Sequence, residues 1–238
     1  MEEKISISLI IPVCNESDKA PLFINNIYKI LKKKKFLDFE IIIIDDGSTN
    51  NTYLNIKKKI IKKNILIIKN KKNYGIGYSI KKGITKSKKK YVIWSGADND
   101  TNIYNYIKYY KKLKKYDLLI FFIKNTNVRQ FARSFFSDIF TKILNLTFLL
   151  KLPYYNGIFF MEKKKIKNLN FQSKRFFFGA EIKLLSLKKK YKYITIPIKL
   201  KKSTIPNIKT VLNFKNWLDV IYNYLRLIYL YYFKIYLK

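Results

Sequence analysis

Hydrophobic and polar positions alternate along the first hundred residues in a regular rhythm of short apolar runs and longer amphipathic stretches. Ile5 to Val13 is an apolar run. Asp18 to Leu31 follows with Leu22, Ile24, Ile27, Ile30 and Leu31 at helical spacing,. The sequence Ile41-Ile42-Ile43-Ile44 is β-branched throughout and suits a strand buried on both faces, as in a parallel sheet,. Ser48 or Thr49 is then placed to cap a helix running to about Lys62,. Ile65 to Ile68 and Tyr91 to Trp94 read as further strands, separated by a helix over Tyr74 to Thr85. Strands alternating with helices predict right-handed parallel crossovers and an α/β fold.

Beyond residue 100 the rhythm loosens. The pattern predicts helices near Ile103 to Lys115, Phe131 to Leu150 and Gly179 to Lys190. Strands are expected at Leu118 to Ile123, Tyr154 to Met161 and Tyr193 to Ile198, the last stopped by Pro197,. No internal repeat or Pro/Gly linker marks a boundary. A main domain over 1–210 is expected, with a C-terminal helix over 211–238. At 100° per residue Asp219, Asn223, Arg226 and Lys234 fall within roughly an 80° arc. Trp217, Ile221, Leu225, Ile228 and Tyr232 make a broad opposite face. Such a helix fits a bilayer interface, with Tyr and Trp at headgroup level. Packing on the domain or on a partner subunit is the alternative.

The chain carries 50 Lys+Arg against 15 Asp+Glu, a formal charge of +35. The lysines accompany abundant Ile, Asn, Tyr and Phe, residues that share AT-rich codons, so no nucleic-acid partner is inferred from them. What the charge does favour is an anionic surface, including acidic lipid headgroups and nucleotide diphosphates. Histidine is absent and Cys14 is the only cysteine. A Ser-His-Asp triad, a His/Cys zinc site and a disulfide framework are thereby excluded. Proton transfer and metal binding fall to carboxylates, and Mg²⁺ or Mn²⁺ is the natural cofactor. Glu2 and Glu3 precede the first strand where a secretory signal would be basic, which predicts a cytoplasmic location,.

Acids are scarce, so where they cluster is informative. Asp45-Asp46-Gly47-Ser48 closes one apolar run and Gly96-Ala97-Asp98-Asn99-Asp100 follows another. Both would lie at the carboxyl ends of strands, the edge at which open α/β sheets bind ligands. Asp46 also suits a helix-terminal acid that complements the dipole.

Four elements in order, Pro12-Val13-Cys14-Asn15-Glu16, Asp45-Asp46-Gly47-Ser48-Thr49, Asn73-Tyr74-Gly75-Ile76-Gly77 and Gly96-Ala97-Asp98-Asn99-Asp100, resemble the family 2 glycosyltransferases of the GT-A fold. The resemblance is nearest to polyprenyl-phosphate sugar transferases of the dolichol-phosphate mannosyltransferase type. It implies a Rossmann-like, mostly parallel central sheet flanked by helices. It also implies a nucleotide-sugar donor, UDP- or GDP-linked, held by Pro12, Asn15, Glu16, Asp45 and Asp46, with Gly75 and Gly77 in close approach to it or as turn glycines. The family's D-x-D metal element departs here: Gly96 stands at its first acid and Asp98 at its second, with Asp100 two residues on. Asp98 and Asp100 are the implied metal ligands and catalytic acids.

Arg129, Arg133 and Ser137 resemble the stretch that holds an acceptor phosphate, a role suited to the guanidinium fork. Phe178-Gly179-Ala180-Glu181 resembles another family landmark. Glu181 is the candidate general base, or alternatively a structural anchor. The expected reaction is inverting transfer to a polyprenyl phosphate, at the inner face of a membrane with the enzyme peripheral to it. Transfer to a hydroxyl of a surface polysaccharide or lipid-linked oligosaccharide, and a non-catalytic sugar-nucleotide-binding descendant, are the other readings.

Overall fold

A computed structural model describes residues 4–96, 102–124, 131–199 and 214–233. Its centre is a seven-stranded sheet in the order β3-β2-β1-β4-β6-β5-β7. The strands are β1 (Ile5–Val13), β2 (Leu37–Asp45), β3 (Ile65–Lys69), β4 (Tyr91–Trp94), β5 (Leu118–Ile123), β6 (Phe159–Glu162) and β7 (Tyr193–Ile198). All neighbouring pairs are parallel except those of β6, which runs antiparallel to β4 and β5. This is the mostly parallel, helix-flanked sheet that the sequence predicts.

Strand alternation sorts the apolar residues into two layers. Ile7, Leu9, Ile11, Ile41 and Ile43 pack with Phe23, Ile24 and Ile27 of α1 (Lys19–Lys32) and with Ile56 of α2 (Thr52–Lys59). Ile10, Ile42, Ile44 and Val92 face the other way, onto Ile80 and Ile84 of α3 (Ile76–Lys86). That second layer continues through Leu144 and Phe148 of α5 (Phe131–Phe148), Ile182 of α7 (Phe178–Lys188) and Leu227 of α8 (Phe214–Ile228). Ile41 to Ile44 are fully buried, as two covered faces require,.

Several elements differ from expectation for local reasons. The helix expected from Ser48 or Thr49 begins only at Thr52, because Ser48 is engaged by the sheet edge and Asn50 Oδ1 accepts from Thr52 N at 3.1 Å. The expected helix over Ile103 to Lys115 divides into α4 (Tyr104–Ile107) and a 3₁₀ turn, Tyr110–Lys114. The strand expected from Tyr154 shrinks to Phe159–Glu162. A Cβ on Gly157 would lie 2.1 Å from Phe121 O, so the chain passes there as a tight turn and not as a paired strand,. A short helix, α6 (Lys163–Lys167), follows β6. Pro197 lies inside β7, where a strand at the sheet's end tolerates a missing donor,.

The C-terminal helix seats its two faces the opposite way round from an ordinary surface helix. Asn223 is buried and Asp219 and Arg226 bond to the domain, while Trp217, Ile221, Leu225 and Tyr232 are exposed and Ile228 is partly covered. One π-helical turn, Tyr229–Phe233, extends it. Among the described residues no helix is long and apolar enough to cross a membrane.

Candidate active site

The parallel register brings the ends of β1 and β2 level, with Val13 opposite Asp45. Two backbone bonds carry the ladder past the strands: Asp46 N donates to Val13 O and Asn70 N to Asp45 O, both at 2.8 Å. The two adjacent acids then do different things. Asp46 is a brace. Its Oδ1 accepts from Asn70 Nδ2 (2.8 Å) and Tyr74 N (3.1 Å), and its Oδ2 from Gly75 N (2.8 Å). It thereby fixes the turn that opens α3. Asp45 is fully buried; its Oδ1 accepts from Ser48 N at 2.8 Å, while Oδ2 has no hydrogen-bond partner among the described residues. An unpaired buried carboxylate oxygen is costly, and such exceptions concentrate where a ligand completes the set.

The β1–α1 loop is stitched to the β2–α2 loop above these acids. Asn15, in the left-handed region at φ +56°, donates its N–H to Ser48 Oγ at 2.9 Å, and its Oδ1 accepts from Thr49 N at 3.0 Å. Glu16 N donates to Thr52 Oγ1 at 2.8 Å. Pro12, the last residue but one of β1, is half-buried opposite Ile44. Cys14 Sγ accepts from Asn73 Nδ2 at 3.4 Å. Burial pushes this thiol up, the Asn73 bond opposes that, and the charges of Asp46, Asp45 and Glu16 push it further up. It is therefore poorly suited to act as a nucleophile.

Gly75 and Gly77 approach protein. Gly75 has φ +101°, and a Cβ there would lie 2.4 Å from Lys174 O; one on Gly77 would lie 2.4 Å from Ser173 O. Tyr78 N donates to the same Lys174 carbonyl at 3.0 Å. The glycine pair thus lets the 173–175 segment lie directly on the loop that Asp46 braces.

Glu181 is fully buried on α7 with both oxygens engaged. Oε1 accepts from Gln172 N (2.9 Å) and from Arg226 of α8, and Oε2 from Ser173 N (2.7 Å). This is the geometry of the structural anchor named as its alternative role. Two residues on, Lys183 is also fully buried, its Nζ donating to the carbonyls of Tyr155 (2.5 Å), Gly157 (2.8 Å) and Gly179 (3.4 Å). Burial pushes this ammonium down to about 7,. Sequence reasoning overlooked Lys183 because one lysine among so many carries no contrast. The available signal was its place in a run, Phe178 to Leu184, that is apolar on nearly every side.

Asp98, Asp100 and Arg129 lie outside the described residues, as does the side chain of Arg133. Ser137 is half-buried on α5, between the exposed Phe136 and Ile139. Among the described residues no group of three His, Cys, Asp or Glu side chains is placed to hold a metal ion. The strand that leads to Asp98 does end at this edge: Trp94 pairs with Ile10, and Ser95 N donates to Ile10 O at 3.0 Å.

Known proteins resemble this chain in sequence or in fold. A dolichyl-phosphate beta-glucosyltransferase of Dictyostelium discoideum is 40% identical over 106 residues, 42% of this chain and 32% of that protein. Its namesake in Saccharomyces cerevisiae is 36% identical over 103 residues, 41% of this chain and 31% of the relative. The matched segment thus spans about a third of the length of each. Among solved structures, glucosyl-3-phosphoglycerate synthase from Mycobacterium tuberculosis with Mg²⁺ and UDP superposes with a TM-score of 0.67 at 12% identity, covering 87% of this chain and 74% of that one. The same enzyme with Mn²⁺, UDP and glucosyl-3-phosphoglycerate gives 0.64 at 12% identity, covering 87% and 75%. At that identity the likeness establishes the fold. Residues 8–169 match the model for glycosyl transferase family 2, more than half of the chain. The chain belongs to glycosyl transferase family 2.

Proposed function

We propose that the chain transfers a sugar from a uridine-linked donor to a polyprenyl phosphate, working at a membrane surface. The observation that carries the reading is the buried Oδ2 of Asp45 at the end of β2, which has no partner among the described residues. With Oδ1 held by Ser48 N, one oxygen is left to accept one donor. The single imide N–H of uracil fits that offer, whereas the paired N–H groups of guanine match a carboxylate with both oxygens available. UDP in the related mycobacterial structures agrees with this choice.

The acceptor half rests on Glu181 and on the relatives. A sugar hydroxyl acceptor calls for a general base, and Glu181 is enclosed with both oxygens occupied,. A phosphate monoester, with a second pKa of about 6, is already anionic and calls for none. The named activity of the two glucosyltransferase relatives agrees. Transfer is a single displacement, with inversion at the anomeric carbon. Asp98 and Asp100 would hold Mg²⁺ or Mn²⁺, which when bound neutralises charge on the departing diphosphate. Arg129, Arg133 and Ser137 would bind the acceptor phosphate.

The surface fits a lipid partner. Phe135, Phe136, Ile139, Ile143, Leu146 and Leu149 are exposed along and just beyond α5, and Phe136 meets Trp217 of α8 with ring centroids 6.3 Å apart. An apolar face of this extent, in a chain of charge +35, suits an anionic bilayer,. The test measures UDP and GDP binding with Mn²⁺ or Mg²⁺, then transfer from UDP-sugars to polyprenyl phosphate in vesicles. Tighter GDP binding, or product formed only on sugar hydroxyls, would overturn the proposal.

A further inference from the structure

The polar side of α8 ends against the donor loop through two short relays. Ser173 Oγ donates to Asp219 Oδ2 at 2.9 Å, and Arg226 pairs with Glu181, whose other bonds hold Gln172 N and Ser173 N. A third contact, from Arg175 to Asn216 Oδ1 at 3.1 Å, grips the same segment one turn earlier on the helix. Segment 172–175 is thus bonded to α8 at two of its residues and to α7 at two. Its far side rests on Gly75 and Gly77, where an added Cβ would meet its backbone oxygens at 2.4 Å, and Lys174 O accepts from Tyr78 N. Gly75 N in turn donates to Asp46, the neighbour of Asp45. The chain of contacts from helix to acid is continuous and made of directional bonds.

We propose that Asp219 and Arg226 of α8 are positioning residues for the donor site: through Ser173 and Glu181 they press segment 172–175 onto Gly75 and Gly77, and so fix the loop that Asp46 braces beside Asp45. These α8 side chains bond to Ser173 and Glu181 and reach Asp45 only through them. They act by removing freedom from the loop, so that less ordering remains to be done when a nucleotide arrives. The inference rests on the donor reading of Asp45 for its consequence in affinity, while the mechanical coupling stands on the contacts alone.

Asp219→Ala in the full chain tests it. Asp219 is only half-buried and makes one bond across the interface, so its loss leaves the buried Glu181 pair intact. The primary readout is hydrogen exchange without ligand at the amides of Tyr74, Gly75 and Tyr78. These should exchange at least several-fold faster, while those of β1 and β2 stay unchanged. Asp219→Asn keeps an acceptor for Ser173 Oγ and should restore slow exchange. The second readout is affinity for UDP with Mn²⁺, expected to fall about 5- to 20-fold in Asp219→Ala, the range of ordinary site-to-site coupling. Ser173→Ala should cause the same loss, and the double variant should add little to either. Unchanged exchange over 74–78 in Asp219→Ala would overturn the proposal whatever the nucleotide does. Failure of the wild type to bind UDP would fall on the donor reading, and the exchange result would still decide the coupling.

Discussion

Arg226→Met removes the charge partner of a carboxylate that has no access to water. Glu181 is fully buried and the Arg226 side chain is 15% exposed, so the pair lies on the dry side of the interface between α7 and α8. Breaking a buried pair from one side costs about 3–5 kcal/mol, because the remaining charge is stranded. Two backbone donors, Gln172 N and Ser173 N, still serve Glu181 and offset part of that penalty. The expected loss is therefore at the lower end, about 3 kcal/mol, against a typical total of about 5–15 kcal/mol. For a chain of this length it corresponds to a fall of roughly 10 °C in melting temperature. Urea unfolding followed by tryptophan fluorescence measures it. The double variant Glu181→Gln/Arg226→Met should recover only part of the loss: it strands no charge, but its single amide oxygen serves one of the two backbone donors and its NH2 group opposes the other,. A loss below about 1 kcal/mol in the single variant would refute the assignment of Glu181 as an anchor dependent on α8.

Asp45→Asn keeps an acceptor for Ser48 N but turns the free oxygen into an amide donor, which opposes the N–H of uracil; UDP binding should weaken by roughly 10- to 100-fold, with melting temperature little changed, as calorimetric titration would show. Lys183 has a folded value of about 7 against 10.5 when free, so the unfolded chain binds the extra proton between those values, and stability rises with pH across that window, is lost as pH falls from 10.5 toward 7, and changes no further below 7,. Lys183→Met should remove that contribution: the stability difference between wild type and variant, from urea curves at pH 7 and pH 9, should move by about 2 kcal/mol in favour of wild type at the higher pH, and a constant difference would argue against a depressed lysine. Ile221→Ser/Leu225→Ser takes two exposed side chains from the outer face of α8; each forfeits about 1.5 kcal/mol of apolar burial, so recovery by flotation with anionic vesicles should fall roughly 100-fold in partition constant. Equal recovery would remove α8 from the membrane face.

Most strands were legible because their apolar residues form a run with a clear stop; β6 was not, its expected start lying five residues too early. β1, β4, β5 and β7 fall at the bounds their runs predict, and the register of β1 on β2 follows from burying Ile41 to Ile44 on both faces. The helix that was to begin at Ser48 failed for a reason no local pattern contains. Ser48 is held by Asp45 and Asn15, residues 3 and 33 positions away. The same holds in the site. Asp45 and Asp46 are identical letters side by side, and only the position of Asn70, Tyr74 and Gly75 makes one a brace and leaves the other with an open oxygen. Gly75 and Gly77 are expected from the sequence in close approach to the donor or as turn glycines; what approaches them in the structure is Lys174 and Ser173, about a hundred residues downstream.

The C-terminal helix shows how a correct periodicity leaves its partners open. Its polar arc and broad aromatic face were both readable, and an isolated helix of that kind would turn the polar arc to water. Here the arc supplies Arg226 to a buried carboxylate on α7, with Asp219 taking Ser173 Oγ and Asn223 Oδ1 accepting from Arg226 Nε at 3.3 Å. Burying polar groups is tolerated because each finds a partner. Val220, Tyr224 and Leu227 add apolar contact at the edge of the same face. What holds α8 to the domain is therefore separate from what α8 shows to its surroundings. Trp217, Ile221, Leu225 and Tyr229 remain exposed while the helix is fully seated. A lipid surface meeting them would not compete with the domain for the same side chains. It would instead load the helix whose inner side grips the segment lying on the donor loop.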